Sequence, residues 1–166
     1  MVDQPPTAWQ APPEPEGPAP GVRFAGPGAR LAAYLIDWII MIVAGLLLLF
    51  VMGVAVVGAL GTQGGEGSGA AIAGMLLALL AFVAFNLVYF PWFWSRGGQT
   101  PGMRLMAIRV VRDADGGPVS LGAAILRLIG YWINNVLFYI GFAWILVDKR
   151  RRGWHDLLAG TCVVDA

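Results

Sequence analysis

Apolar residues in this chain gather into three long runs separated by polar stretches. Residues 31–57 are apolar except for Tyr34, Asp37 and Trp38. That run exceeds the roughly 20 residues an α-helix needs to cross a bilayer, so it predicts a membrane span with some tilt or an interfacial first turn. A glycine-rich connection without lysine or arginine follows over 58–69. Residues 70–92 predict a second span, closing on the aromatic group Pro91-Trp92-Phe93-Trp94, a composition suited to the headgroup boundary. A third apolar segment covers 121–147 and stops at Asp148-Lys149-Arg150-Arg151-Arg152.

The polar stretches carry their own patterns. Thr100-Pro101 pairs an N-cap residue with proline at the first helical position, which predicts a short helix over 101–106. Residues 107–112 alternate as a short strand does, and 113–118 (Asp-Ala-Asp-Gly-Gly-Pro) form a turn signal. Thr161-Cys162-Val163-Val164 is again strand-like. A lone strand leaves its backbone polar groups unmet, so the two are expected to pair. Ser120 is placed to cap the third segment. The fold expected is an all-α membrane protein with two transmembrane helices, a third membrane-embedded or interfacial helical segment, and a small cytoplasmic β-ribbon.

Basic residues decide the orientation. Arg23 and Arg30 precede the first span, and Arg96, Arg104, Arg109 and Arg112 follow the second. By the positive-inside rule the N-terminus and the 96–112 region are expected in the cytoplasm. A single crossing by the third segment would put the cluster at 149–152 outside, against that rule. About 27 residues are too few to cross twice. The favoured expectation is therefore a helix–break–helix with both ends cytoplasmic, its break at Gly130 or at Asn134-Asn135. A single crossing with an external C-terminus is the alternative.

Composition narrows this further. Of 166 residues, 58% are hydrophobic and 13% charged, about half the charge of a soluble domain, which points to lipid as solvent. The net charge of +1 argues against nucleic-acid binding. One cysteine, Cys162, excludes an internal disulfide and any CxxC site. Residues 1–28 hold eight of the eleven prolines and few aliphatic residues, so they are expected to form a disordered cytoplasmic tail ahead of a membrane domain over 29–166.

Candidate chemistry sits where polar residues meet the apolar runs. Asp37 lies seven residues beyond Arg30, on the same helix face and ~10 Å further along. At mid-membrane a carboxylate costs roughly 2.5–3.5 kcal/mol. Arg127, Tyr131 and Asn134 fall on one face of the third segment, and Arg127 or Arg30 is expected to neutralise Asp37. Ala70, Gly74 and Ala78 place small residues at spacing four, which lets a helix approach a second copy or a partner closely. His155 beside Asp156 is read as a cap or interface rather than a proton shuttle. The chain contains no P-loop, dinucleotide fingerprint, HExxH or GxSxG. No catalytic residue, metal site or cofactor is expected, and no enzyme.

Four stretches together resemble one family. They are Arg30-Leu-Ala-Ala-Tyr-Leu-Ile-Asp37, Gly98-Gln-Thr-Pro-Gly-Met-Arg104-Leu-Met-Ala-Ile-Arg-Val-Val111, residues 121–127, and Gly153-Trp-His-Asp-Leu-Leu-Ala-Gly-Thr161. In this order they are similar to the RDD family of prokaryotic membrane proteins over about residues 26–164. The resemblance implies that Arg30 and Asp37 are the first two signature residues and Asp156 the second aspartate, with Asp148 as the other option. It makes Gln99, Thr100, Gly102 and Arg104 a cytoplasmic motif, with Met103 where the family more often has lysine. It also implies a prokaryotic plasma-membrane location, and it does not imply an enzyme. Asp156 is expected to contact an arginine of the 99–111 region, joining the two motifs into one plate. Two functions are expected to compete. One is a small non-catalytic subunit that associates with itself or with a larger membrane complex. The other is an ion- or proton-coupled transporter using Asp37, in line with the transport or exchange suggested for the family.

Overall fold

A run of apolar residues free of proline continues as helix until glycine-rich sequence ends it, and the first span does so. The computed structural model describes residues 17–62 and 67–166. In it α1 runs Pro27–Thr62 and α2 runs Gly67–Gly97. Both are long and apolar enough to cross a membrane. Their contact is close because Gly45 lets the Phe82 ring approach; a Cβ there would sit 3.2 Å from Cζ. Asn86 turns its amide back onto the Phe82 carbonyl at 2.8 Å, which satisfies a donor that lipid cannot.

After α2 the chain forms α3 (Pro101–Leu105), β1 (Ile108–Arg112), α4 (Leu121–Val136), α5 (Ile140–Ala143) with a 3₁₀ turn (Trp144–Leu146), α6 (Trp154–Ala159) and β2 (Thr161–Asp165). Thr100 caps α3, accepting from the Met103 amide at 3.2 Å, and Ser120 caps α4 through the Ala123 amide at 3.2 Å. Strands β1 and β2 pair antiparallel with Val110 opposite Val163. The fold is thus mostly helical, with two span-competent helices and one two-stranded sheet, as the apolar pattern and the paired strand signals require.

Residues before α1 correct one expectation. Up to residue 16 the expected tail lies outside the described residues, as does 63–66 of the glycine-rich connection. From Val22 onward the chain is packed, not loose. Phe24 bridges Val164, the Ala25 amide donates to the Val163 carbonyl at 2.9 Å, and the Asp165 amide donates to Arg23 at 3.0 Å. The segment covers the second edge of β2, an edge that would otherwise be open to pairing with another chain. Phe24 and Ala25 are buried there, which a proline-rich composition did not signal.

The third apolar segment is a bent pair. Helices α4 and α5 meet at 113°, and the break lies at Leu137–Tyr139, with Phe138 and Tyr139 at φ of 51° and 61°. It is therefore two to four residues later than Asn135 and not at Gly130. Gly130 instead admits the backbone of α6; a Cβ there would lie 2.6 Å from the His155 Cα. The two ends of the segment meet again, since Arg150 and Arg152 reach Asp113 at 2.8 and 2.9 Å. A helix that crossed once would separate its ends by about 30 Å. The bent pair instead brings its basic end back beside the β-ribbon.

The core lies between the ribbon and the near ends of α1, α2 and α4, around Ala33, Trp94, Met103, Ile108, Val110, Leu128 and Val163. Cys162 is fully buried against Phe24, Val111 and Val164. Burial first, and the Asp113 carboxylate second, push its thiol up to about 12. Thiolate is the reacting species, so a water-soluble maleimide is expected to leave Cys162 unlabelled in intact vesicles and to label it after detergent unfolding.

Candidate functional site

Two polar clusters form where the helix ends meet the ribbon. The first surrounds Asp156. In the sequence Gly153-Trp-His-Asp the aspartate falls at the third position of α6, where a carboxylate reaches back to the cap amide. It accepts from Gly153 N at 2.9 Å. The same carboxylate takes two guanidiniums: Arg30, from the first turn of α1, on Oδ2 and Arg127, from α4, on Oδ1. Arg127 also donates to the Thr161 hydroxyl at 2.8 Å, and Arg30 donates to the Arg151 carbonyl. The Arg127 guanidinium lies 4.9 Å from the Trp94 ring centroid, a cation–π contact. Arg127, Asp156 and Thr161 are each at most 1% exposed.

Burial alone would raise the Asp156 carboxyl, but Arg127 and then Arg30 reverse this and hold it well below the usual carboxylate range. His155 lies beside it, its Nε2 3.4 Å from Asp156 Oδ2 and its Nδ1 3.2 Å from the Asn134 amide nitrogen. Tyr131 and Phe142 flank the ring at centroid distances of 4.5 and 4.8 Å. Burial, opposed by Asp156 and aided by the two guanidiniums, lowers the imidazole to about 3. It is therefore neutral, with Nδ1 accepting from Asn134 and the proton on Nε2. An unfolded histidine binds a proton below about pH 6.5, whereas this one does so only near 3. The unfolded state holds the extra proton between those values, so stability falls as pH drops from about 6.5. Asp156 contributes fully above about pH 4 and is lost below it. Thermal unfolding in detergent is expected to be flat above pH 6.5 and to decline beneath it. His155→Gln is expected to flatten the part between about 4 and 6.5.

The second cluster surrounds Asp37. Thr100 Oγ1 donates to Oδ2, while Gly102 N donates to Oδ1 at 2.9 Å and Tyr89 OH to Oδ1 at 3.2 Å. All three donors are neutral. Among the described residues, no arginine or lysine lies within ion-pair distance of Asp37, which corrects the expected pairing with Arg127 or Arg30. Both guanidiniums are committed to Asp156. The expected link of Asp156 to an arginine of the 99–111 region is corrected in the same way: that region meets Asp37 instead, through Thr100 and Gly102. Depth explains the exchange. From Asp37 to Gly58 is 21 residues, about 32 Å of helix, which already crosses the hydrocarbon. Asp37 therefore sits level with the chain leaving α2, where polar backbone is available.

The remaining candidates are spread out. Gln99 donates to the Ile108 carbonyl at 2.9 Å and ties α3 to β1. Arg104 is exposed on α3, apart from both clusters. Asp148 accepts from Arg152 Nε at 3.0 Å and closes the basic turn, away from Arg30 and Arg127. Gly74 turns toward Met52 of α1, and Ala78 lines the groove between α1 and α2. Ala70 lies outside the residues whose side chains are described. Thr161 and Trp94 belong to the site without having been singled out as site residues, while Tyr89, which the sequence places with Asn86 as a polar pair against the second apolar run, bonds Asp37. Thr161 closes the last of the four motifs and was legible only as part of a strand. A cavity of about 370 Å³ separates the clusters, with Arg30, Asp37, Arg127 and His155 in its wall.

A family model described as the RDD family matches residues 24–160. The uncharacterized protein YxaI of Bacillus subtilis is 35% identical over 65 residues, covering 39% of this chain and 42% of that one. A proline-rich antigen of Mycobacterium leprae is 28% identical over 64 residues, 39% of this chain and 26% of its own. A proline-rich antigen homolog of Mycobacterium tuberculosis is 25% identical over 67 residues, 40% and 28% of the two chains. The chain thus spans less than half the length of these relatives. No solved structure matches. The matched model contains Arg30, Asp37, Arg127 and Asp156, the residues around which both clusters are built, and the chain belongs to the RDD family.

Proposed function

We propose that this is a non-catalytic membrane protein whose charged residues hold a ribbon plate against two spans, and which works by associating with itself or with a larger membrane protein. The observation that carries the reading is that the charged residues of both clusters bind groups from other elements of this same chain. Asp156 takes ion pairs from Arg30 and Arg127, and Asp37 accepts from Tyr89, Thr100 and Gly102. Charges so engaged serve architecture. Two spans and one returning segment enclose no continuous path. With the arginine-rich loop inside, the plate and both described ends face the cytoplasm of a prokaryotic plasma membrane. Nucleic acid is not among the partners. Purification from native membranes in mild detergent tests this: a stoichiometric assembly, of one chain or with a larger subunit, is expected. A monodisperse single chain that carries ion flux in vesicles would overturn it.

One observation favours the transport reading. Asp37 lines a cavity and has three neutral donors but no cation beside it among the described residues. Under that reading Asp37→Asn inserts and assembles normally yet abolishes proton or ion flux in vesicles. Loss of assembly in the same variant supports the subunit reading.

A further inference from the structure

The walls of the 370 Å³ cavity carry separated and opposite charges. On one side Arg30 and Arg127 share the single carboxylate of Asp156, which leaves one positive charge in excess beside a neutral His155. Arg127 Nε has no hydrogen-bond partner among the described residues although it is buried. On the other side the Asp37 carboxylate accepts from three neutral donors only, and Oδ2 takes one of them, from Thr100. The two sides sum to zero and are ~10 Å apart along α1. An anion or a cation alone would leave one side unmatched, whereas a zwitterion matches both. The volume is that of a small-molecule site, not of a single ion.

The cavity also has a hydrophobic continuation. Tyr34, Phe90, Tyr131 and Tyr139 belong at once to its wall and to that of an apolar groove of about 1010 Å³. The groove runs along α1 and α2 past Met41, Leu49 and Phe82 as far as Met52 and Met75. A soluble zwitterion would fill the cavity and leave the groove, while a phospholipid fills both.

We propose that this paired cavity and groove bind one phospholipid with an ethanolamine headgroup, its phosphate toward Arg30 and Arg127, its primary ammonium toward Asp37 and an acyl chain along the groove. A primary ammonium can donate to Asp37 Oδ2, which already accepts from Thr100, whereas a choline nitrogen has no N–H to give. The inference is independent of the subunit reading, since a bound lipid is compatible with either partner or none.

The full chain, purified in mild detergent, can be titrated with phosphatidylethanolamine, phosphatidylcholine or phosphatidylglycerol of one acyl composition, with bound lipid counted by native mass spectrometry. One ethanolamine lipid is expected to be retained about tenfold more tightly than either other, equivalent to ~1.4 kcal/mol. Asp37→Asn is expected to reduce its retention to that of the choline lipid. Ile42→Trp is an independent variant on the groove wall. Ile42 is 38% exposed, away from both charge clusters, and the bulkier ring is expected to weaken binding of the ethanolamine lipid while the fold is kept. Soluble glycerophosphoethanolamine is expected not to displace the lipid. Equal retention of the three lipids, strongest retention of the glycerol lipid, unchanged binding in Ile42→Trp, or displacement by the soluble headgroup would each overturn the proposal.

Discussion

Asp156→Asn is expected to release the ribbon plate from the spans. The substitution removes one negative charge and leaves Arg30 and Arg127 together in a site that excludes water, with an amide unable to neutralise either. Removing one partner of a buried ion pair typically costs roughly 3–5 kcal/mol, because the charge left behind is uncompensated. It also weakens the reach back to the Gly153 amide that starts α6. Two readouts follow. Thermal unfolding in detergent is expected at a clearly lower temperature. In inside-out vesicles, trypsin is expected to cut the 150–152 arginines faster, since Arg150 and Arg152 are now held by Asp113 and Asp148 and Arg151 by the Phe24 carbonyl. An unchanged cleavage rate would count against the clamp.

The second large effect is expected at a glycine. Helix α3 crosses α1 so closely that a Cβ on Gly102 would collide with the Ala33 carbonyl oxygen and stand 3.0 Å from Asp37 Cγ. Backbone cannot step aside as a flexible side chain does. Gly102→Ala is therefore expected to push α3 outward, lengthen the Gly102 N–Asp37 bond and cost about 1–3 kcal/mol by overpacking. Gly122→Ala is the matched control. Its Cβ meets nothing within 4 Å on α4, and helix propensity favours alanine there. Thermal unfolding should separate the two: a marked loss for Gly102→Ala and no loss for Gly122→Ala. Equal behaviour would mean that α3 does not depend on this close approach.

Much of this fold was legible in the sequence because its signals are local. The spans follow from uninterrupted apolar runs, α3 from Thr100-Pro101, and the ribbon from two short β-branched stretches with backbone to satisfy. A break in the third segment was expected from charge, since a single crossing would misplace Lys149–Arg152, and the structure has a bend there with Arg150 and Arg152 back at Asp113. The position of its break was not. Phe138 and Tyr139 adopt left-handed backbone without glycine or asparagine to announce it. Packing of Phe24 and Ala25 on β2 was hidden in the same way by neighbouring prolines.

At the site, the sequence identified the charged residues but not their partners. Helical spacing placed Arg30 and Asp37 on one face, which suggested that they answer each other. In three dimensions the face is divided: the first turn of α1 meets α6 and the third meets α3. Spacing along one helix cannot report which later element arrives at each turn. Asp37 shows this most clearly, since three neutral groups from α2, the Thr100 cap and α3 replace the arginine that charge balance suggested.

A double-mutant cycle on Arg127 and Asp156 tests the central claim most directly, which is that the ion pairs on Asp156 fasten the plate to α4 and α1. Arg127→Met, Asp156→Leu and the double variant can be compared with the parent by thermal unfolding in one detergent. Arg127→Met leaves Asp156 with Arg30, Asp156→Leu leaves two buried guanidiniums facing each other without an acid, and the double change leaves Arg30 alone, so the losses are expected to be strongly non-additive. The double variant should be more stable than the sum of the singles implies by about 1–3 kcal/mol. Additive losses, within about 0.3–0.5 kcal/mol, would show that the two side chains act independently and would contradict the clamp.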